Sequence, residues 1–132
     1  MLALALLLAM QSASQPSCFR ANVDTVSLTG VVGRRTFPGA PNFESTRRGD
    51  RAEQVRYVSL TKAICTVDDS IAGPKSKVQL VQLVLDSAGS AFLRNRLGQR
   101  VTLRGTLFGA HTGHHYADLL LTVIPSSPST SK

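Results

Sequence analysis

The sequence is poor in aromatic residues and in cysteine. It contains no Trp, and Phe and Tyr together make up 5% of its 132 residues. So few rings leave little material for a broad surface on which bases or sugars could stack. Cys18 and Cys65 are the only cysteines, so there is no second pair from which to build a Cys-x-x-Cys metal or redox site.

Familiar catalytic motifs are missing as well. The sequence has no Gly-x-Ser-x-Gly elbow, no His-Glu-x-x-His pair and no Gly-rich phosphate-binding loop. Glu44 and His111 could form an acid–base pair with Ser45 nearby, but no pattern in the sequence brings these residues together. We therefore predict that the protein is not an enzyme.

Acidic residues are scarce relative to basic ones. The chain has 15 Lys and Arg against 8 Asp and Glu, which gives a formal charge of +7 and an isoelectric point near 10.3. Such a charge favours acidic partners but does not identify a particular one. Hydrophobic residues make up 42% of the sequence, so we expect one folded domain with a small core.

The chain begins with an unbroken apolar run over residues 2–10, followed by a polar stretch over residues 11–16. As a helix this run rises only about 14 Å, less than half of the roughly 30 Å of bilayer hydrocarbon. An apolar run of this length followed by small residues is typical of a secretory signal peptide. We predict a signal peptide over residues 1–14, a periplasmic or secreted protein, and no transmembrane segment in the mature chain.

The predicted export determines the expected redox state of the two cysteines. Because an exported chain meets oxidising conditions, we predict a disulfide between Cys18 and Cys65, which would stabilise the fold by about 4 kcal/mol. Two alternatives stay open. Cys18 follows the apolar run closely enough to be a lipidation site, and both cysteines would be buried free thiols if the chain is not exported.

Alternation of apolar and polar residues predicts five strands, and one helix lies between the third and the fourth. We expect the helix to begin at Asp86 or Ser87 and to end at Gly98, with Phe92 and Leu97 on its core side. A break in the alternation near Ala63 predicts a bulge in the second strand. The predicted strands cover residues 26–32, 55–65, 78–85, 100–109 and 116–124, and residues 33–54 are predicted to be a long polar connection.

This order of elements, β-β-β-α-β-β, is that of the OB-fold, a five-stranded Greek-key barrel. We therefore predict an all-β fold with one helix, in which Phe92 and Leu97 plug one end of the barrel. A small β-sandwich is the alternative. The domain should cover residues 18–124, and the polar residues 125–132 should form a frayed tail.

Two segments have an unusual composition for connecting loops. Residues 34–45 read RRTFPGAPNFES and residues 105–115 read GTLFGAHTGHH. Together they resemble the DUF4431 family, a bacterial domain of unknown function, and the resemblance extends over residues 18–123. It implies an exported, compact β domain, and it supplies no catalytic residues because the family has no established activity.

The N-terminal motif lies within a basic patch formed by Arg34, Arg35, Arg47, Arg48, Arg51 and Arg56, which Glu44, Asp50 and Glu53 partly offset. On an OB-fold this patch and the histidine-containing loop would flank the usual ligand face. We predict a binding module for an acidic component of the cell envelope, a glycan, peptide or protein, and we do not expect nucleic acid. The expected contact residues are Arg34, Arg35, Phe37, Asn42, Phe43, Glu44, Arg47, Arg48 and Tyr57.

All three histidines of the chain lie in the C-terminal motif, at His111, His114 and His115. Imidazole nitrogen is a good ligand for Zn²⁺ and Cu²⁺, so these residues form an alternative, metal-binding site. A tetrahedral site would need further ligands from elsewhere in the chain. We otherwise expect no cofactor.

Overall fold

A computed structural model describes residues 17–124. The predicted leader (1–14) and tail (125–132) lie outside these residues. The elements are β1 (Ser17–Arg20), β2 (Thr25–Pro38), a 3₁₀ turn (Thr46–Arg48), β3 (Ala52–Val67), β4 (Lys75–Val84), α1 (Ser87–Leu93), β5 (Arg100–Gly109) and β6 (Leu119–Val123). Within this part of the chain no helix is long and apolar enough to cross a bilayer.

Strands β2 to β6 close into a barrel. The order in the sheet is β1-β3-β2-β5-β6-β4, and β4 pairs again with β3. The pairings within the barrel are antiparallel except for the parallel contact between β4 and β6. The predicted OB-type barrel is thereby confirmed. The short β1, which adds to β3 in parallel, was not predicted because four residues are too few to show an alternating pattern.

The alternating residues of the strands fill the barrel. Val26, Leu28 and Val32 of β2 are buried, and Val58 and Leu60 of β3 face them in the same core. The expected bulge is confirmed by a shift in the β3–β4 register between Ser59 and Ile64, the interval that contains Ala63. The first residues expected in the last strand, from Tyr116, precede β6 instead.

The expectation of a long polar connection over residues 33–54 was wrong. Strand β2 continues to Pro38 and β3 begins at Ala52, so the loop covers only residues 39–51. The residues of these strand ends, 33–38 and 52–57, are exposed or half-buried except for Val55, so most of them can be polar. Their composition therefore resembles that of a loop.

The helix begins as predicted but buries a different residue. The Asp86 side chain accepts a hydrogen bond from the Gly89 N–H at 2.7 Å and caps α1. Leu93 is fully buried, whereas Phe92 and Leu97 each remain 39% exposed, so the predicted plug was wrong. Because α1 ends at Leu93, Leu97 lies beyond it, and the buried face is formed by Gly89 and Leu93, one turn apart.

The disulfide between Cys18 and Cys65 is present, which confirms the predicted pairing. The two residues lie directly opposite each other in the β1–β3 ladder, with their Cα atoms 4.4 Å apart. Cys18 therefore has no thiol left for a lipid, and the alternative of two free thiols is also excluded. The bond fixes the first described residues of the chain to the wall of the barrel.

Candidate functional site

The strand ends beyond the barrel, residues 33–38 of β2 and 52–57 of β3, form a two-stranded extension closed by the loop 39–51. We call these three segments the rim hairpin. Asp50 organises its loop, because its buried carboxylate accepts hydrogen bonds from the N–H groups of Asn42, Glu44 and Ser45, each at 2.9 Å. The bonds from Ser45, Glu44 and Asn42, in decreasing order of effect, lower the pKa of Asp50 below its usual value.

Residues 110–118, which we call the His loop, connect β5 to β6. The loop is fixed to the barrel by Gln82, a buried residue of β4. The Gln82 side chain donates to the carbonyl oxygen of His114 at 2.9 Å and accepts from the N–H of Tyr116 at 2.6 Å. At the start of the loop, the Asp69 carboxylate accepts from the N–H of Gly109 at 2.8 Å.

The rim hairpin and the His loop pack against each other. The rings of Phe37 and Tyr116 are stacked, with centroids 4.4 Å apart and planes 10° from parallel. The ring of Phe43 meets the imidazole of His114 edge-on at 5.1 Å. Gly113 allows this approach, because a Cβ at that position would lie only 3.1 Å from the Phe43 ring. The structure therefore brings the two sequence motifs together at one rim of the barrel.

Glu53 of β3 links the two segments by hydrogen bonds. Its Oε2 atom accepts from Nδ1 of His114 and from the hydroxyl of Tyr116, both at 2.8 Å. Burial raises the pKa of Glu53, but these hydrogen bonds and the charge of His114 lower it by more, so the net shift is downward. Burial and the bond to Glu53 raise the pKa of Tyr116 to about 12.

His115 holds the turn of the His loop. Its Nδ1 atom accepts hydrogen bonds from the N–H groups of His111 at 2.9 Å and Thr112 at 3.2 Å. This arrangement requires a neutral ring with its proton on Nε2. Burial lowers the pKa of His115, and the charges of His111 and His114 lower it further, so the neutral form is favoured.

The three imidazoles have different surroundings. The rings of His111 and His115 meet edge-on at 4.7 Å, and Nδ1 of His111 lies 3.0 Å from the carbonyl oxygen of Gly109. His114 is engaged instead with Glu53 and Phe43. Over residues 17–124 no three or more His, Cys, Asp or Glu side chains form a group that could hold a metal ion. Metal binding by these histidines stays a prediction.

Most of the other predicted contact residues serve the rim hairpin itself. Arg35 lies over the ring of Tyr57 at 4.9 Å, and this ring covers Gly33 so closely that a Cβ there would collide with it. Together with the Phe37–Tyr116 stack, this means that the rings of Phe37 and Tyr57 each have a face in contact with another side chain. Four further predicted residues lie in the loop 39–51, away from the cleft described next: Asn42, Glu44, Arg47 and Arg48.

A cleft of about 490 Å³ opens where β3 and β4 separate. The pairing of these strands ends at Tyr57 and Gln82, although β3 begins at Ala52. The unpaired start of β3 forms one wall and the end of β4 the other, and the His loop contributes two histidines. The lining residues are Glu53, Gln54, Val55, Arg56, Gln82, Leu83, Val84, Leu85, Ser90, His114, His115 and Leu120.

Arg56 lines this cleft, and neither Arg56 nor the arginine opposite it, Arg34, has an acidic partner among residues 17–124. Arg34 and Arg56 are directly opposite each other in the β2–β3 register, on the same face of the hairpin. Neither side chain has a hydrogen bond or ion pair to any part of residues 17–124. The Nε atom of Arg56 is buried without a hydrogen-bond partner. Arg56 was absent from the predicted contact residues because its position opposite Arg34 depends on the extension of β2 and β3.

Comparison with known protein families gives a match in the second half of the chain. A family model aligns with residues 80–125. Those residues match DUF4431, a domain of unknown function. The match confirms the resemblance found in the sequence; it includes the motif 105–115 and excludes the motif 34–45. No curated protein and no solved structure matches the chain. The DUF4431 match therefore covers β5, β6 and the His loop, and it assigns them no activity.

Proposed function

We propose that the protein is an exported, non-catalytic binding module of the bacterial cell envelope that holds an anionic ligand in the cleft between β3, β4 and the His loop. The ligand would be a glycan, a peptide or a protein segment. The apolar run at residues 2–10 supports export, and the Cys18–Cys65 disulfide is compatible with an oxidising compartment.

The pairing of Arg34 with Arg56 is the observation that carries this proposal. Like charges directly opposite in an antiparallel ladder are destabilising, by up to about 1 kcal/mol. A buried N–H without a partner costs a further 1–3 kcal/mol or so. A carboxylate or phosphate bound by the forked N–H groups of Arg56 would offset both costs. The net charge of +7 would attract such a ligand over a longer range.

The surroundings of Glu53 support a non-catalytic role. Glu53 is the carboxylate that contacts the His loop, and it accepts two hydrogen bonds that keep it ionised. A general acid would instead need a raised pKa near the working pH. Glu44 and His111, the acid–base pair considered from the sequence, share no hydrogen bond within the described residues.

The contacts that the aromatic rings of the rim hairpin already make support a ligand other than nucleic acid. Single-stranded nucleic acids are held by bases stacked on exposed rings. The ring of Phe37 is covered by Tyr116, that of Tyr57 by Arg35, and that of Phe43 lies against His114. These three residues are the aromatic ones among the contact residues expected from the sequence.

Amide NMR of the purified protein tests the proposal with three defined probes: pentaglutamate, tri-galacturonate and inorganic phosphate. We expect at least one probe to shift the signals of Arg56, Ser90 and His115, which line the cleft. Arg56→Gln should weaken that binding at least about ten-fold, whereas Arg100→Gln, an exposed arginine outside the cleft, should leave it unchanged. No shift with any probe, or equal effects of the two variants, would refute the proposal.

Titration with ZnCl₂ distinguishes the proposed anion binding from the alternative, metal binding by the His loop. If the His loop holds a metal, Zn²⁺ should bind at about micromolar concentration or below, and His114→Ala should abolish that binding. Our proposal expects no such site. Tight, His114-dependent binding of Zn²⁺ would support the alternative.

A further inference from the structure

The cleft wall on β3 is an unpaired strand edge. The N–H of Val32 donates to the carbonyl of Gln99 at 3.0 Å and its carbonyl accepts from Gly98 at 2.8 Å. Even-numbered residues of β2 therefore direct their main-chain groups away from β3, and odd-numbered ones direct theirs toward it. Glu53 and Val55 lie opposite odd-numbered residues of β2, so their main-chain N–H and C=O groups are directed toward β2. The N–H and C=O of Gln54, between them, are directed toward the cleft.

Strand β4 does not pair with this edge. Its contacts with β3 start at Tyr57 and Gln82, and neither main-chain group of Gln54 has another partner within residues 17–124. The N–H and C=O of a strand residue such as Gln54 are the donor and acceptor to which an added strand pairs. The hydroxyl and carboxylate groups of a glycan do not offer the matching main-chain N–H and C=O.

The side chains beside this strand edge favour a negatively charged ligand. Arg34 and Arg56 have no acidic partner in the described part of the chain, while Asp50 and Glu53 of the same hairpin are already hydrogen-bonded. Across the cleft lie two apolar residues with accessible surface, the exposed Val84 and the half-buried Leu85. The matching ligand has a strand-like main chain, a carboxylate, and apolar side chains between its acidic ones.

We infer that the ligand of the cleft is an extended acidic peptide, which pairs through its main chain with β3 at Gln54 and places a carboxylate on Arg56 and Arg34. This inference rests on the proposed function and narrows its ligand to one class. The volume of about 490 Å³ lies within the range of ligand sites in proteins. The occupant is therefore a short segment of a few residues.

The test uses the blocked peptide acetyl-Val-Glu-Val-Glu-amide and two N-methylated versions of it, one methylated on the first and third amides and one on the second and fourth. A strand added at one edge uses only one of these sets. We expect one version to bind like the parent peptide and the other to bind at least about ten-fold more weakly. The amide proton of Gln54 should exchange more slowly in the complex with the parent peptide.

Two controls keep this result separate from the proposed function and from misfolding. Arg56→Lys retains the charge and loses the fork, so it should bind more weakly than the wild type while its amide spectrum stays folded. If both N-methylated versions bind as tightly as the parent, or if tri-galacturonate binds more tightly in an Arg56-dependent way, the peptide inference fails while the proposed function stands. If no probe binds, both fail.

Discussion

The ring of Tyr116 lies flat on the ring of Phe37, with centroids 4.4 Å apart. One ring belongs to the His loop and the other to the rim hairpin, segments that are distant in the sequence. The same tyrosine reaches Glu53 with its hydroxyl at 2.8 Å. The relationship matters because the cleft is lined from both segments, so its shape depends on this contact.

Removing either ring should loosen this contact. We expect Phe37→Ala and Tyr116→Ala each to lower the free energy of unfolding by about 2 kcal/mol, less than for a fully buried ring because both are only partly buried. Urea unfolding of both single variants and of the double variant should give a coupling energy of about 1 kcal/mol. Strictly additive effects would show that the two rings do not support each other.

Acid should weaken the His loop through His115. The pKa of His115 is lowered in the folded protein, so the unfolded chain binds the proton more readily. This group therefore leaves stability unaffected above about pH 6.5 and reduces the free energy of unfolding as the pH falls below that value. The added proton would also sit on Nδ1, facing the N–H groups of His111 and Thr112.

Thermal unfolding between pH 7.5 and 5 measures this effect. The wild type should lose stability over that range more steeply than His115→Asn, whose amide oxygen can accept a hydrogen bond without titrating. Equal pH dependence of the two proteins, or an NMR titration of His115 with its pKa above 6.5, would contradict the role assigned to this residue.

Neutralising Glu53 should change the titration of Tyr116. Burial and the hydrogen bond and charge of Glu53 hold the pKa of Tyr116 at about 12, and Glu53→Gln removes the charge. We expect tyrosinate to form at lower pH in this variant, as followed by ultraviolet absorbance in a Tyr57→Phe background, where Tyr116 is the one remaining tyrosine. Glu44→Gln is the matched control, because Glu44 is exposed and has no contact with Tyr116. Identical curves for both variants would rule out the Glu53–Tyr116 bond.

Two neighbouring residues of α1 should respond very differently to truncation. Leu93 is fully buried in the barrel core, and Leu93→Ala should lower the free energy of unfolding by about 3 kcal/mol. Phe92 is 39% exposed and packs under Arg96. Phe92→Ala should therefore lower the free energy of unfolding by only about 1 kcal/mol. Denaturant unfolding would disprove this placement of the helix if Phe92→Ala were the more damaging change.

The parts of the fold that could be predicted are those where each strand buries one face. Val26, Leu28 and Val32 alternate with polar residues because β2 there forms the barrel wall. The same strand continues to Pro38 outside the barrel, where alternation is lost because the second face has contacts of its own. The start of the helix could be predicted, but its buried residue could not. Phe92 is larger than Leu93, yet the short α1 directs the smaller residue into the core.

The candidate site could be predicted only in part. The motifs 34–45 and 105–115 were identified by their composition, whereas the roles of Arg56 and Glu53 depend on a strand register that the sequence does not display. Gln82 did carry a signal, since it interrupts the apolar strand β4 with a side chain that can both donate and accept. A buried amide in such a position indicates a main-chain segment that packs across the strand.

The Nε–H signal of Arg56 in a ¹H–¹⁵N spectrum tests the central claim most directly, because that atom is buried and has no hydrogen-bond partner within residues 17–124. The signal is assigned by its loss in Arg56→Lys and followed while acetyl-Val-Glu-Val-Glu-amide is added. A bound carboxylate should move it downfield and slow its exchange with water. If the peptide binds while this signal stays unchanged, the anion is held elsewhere and the cleft is not the binding site.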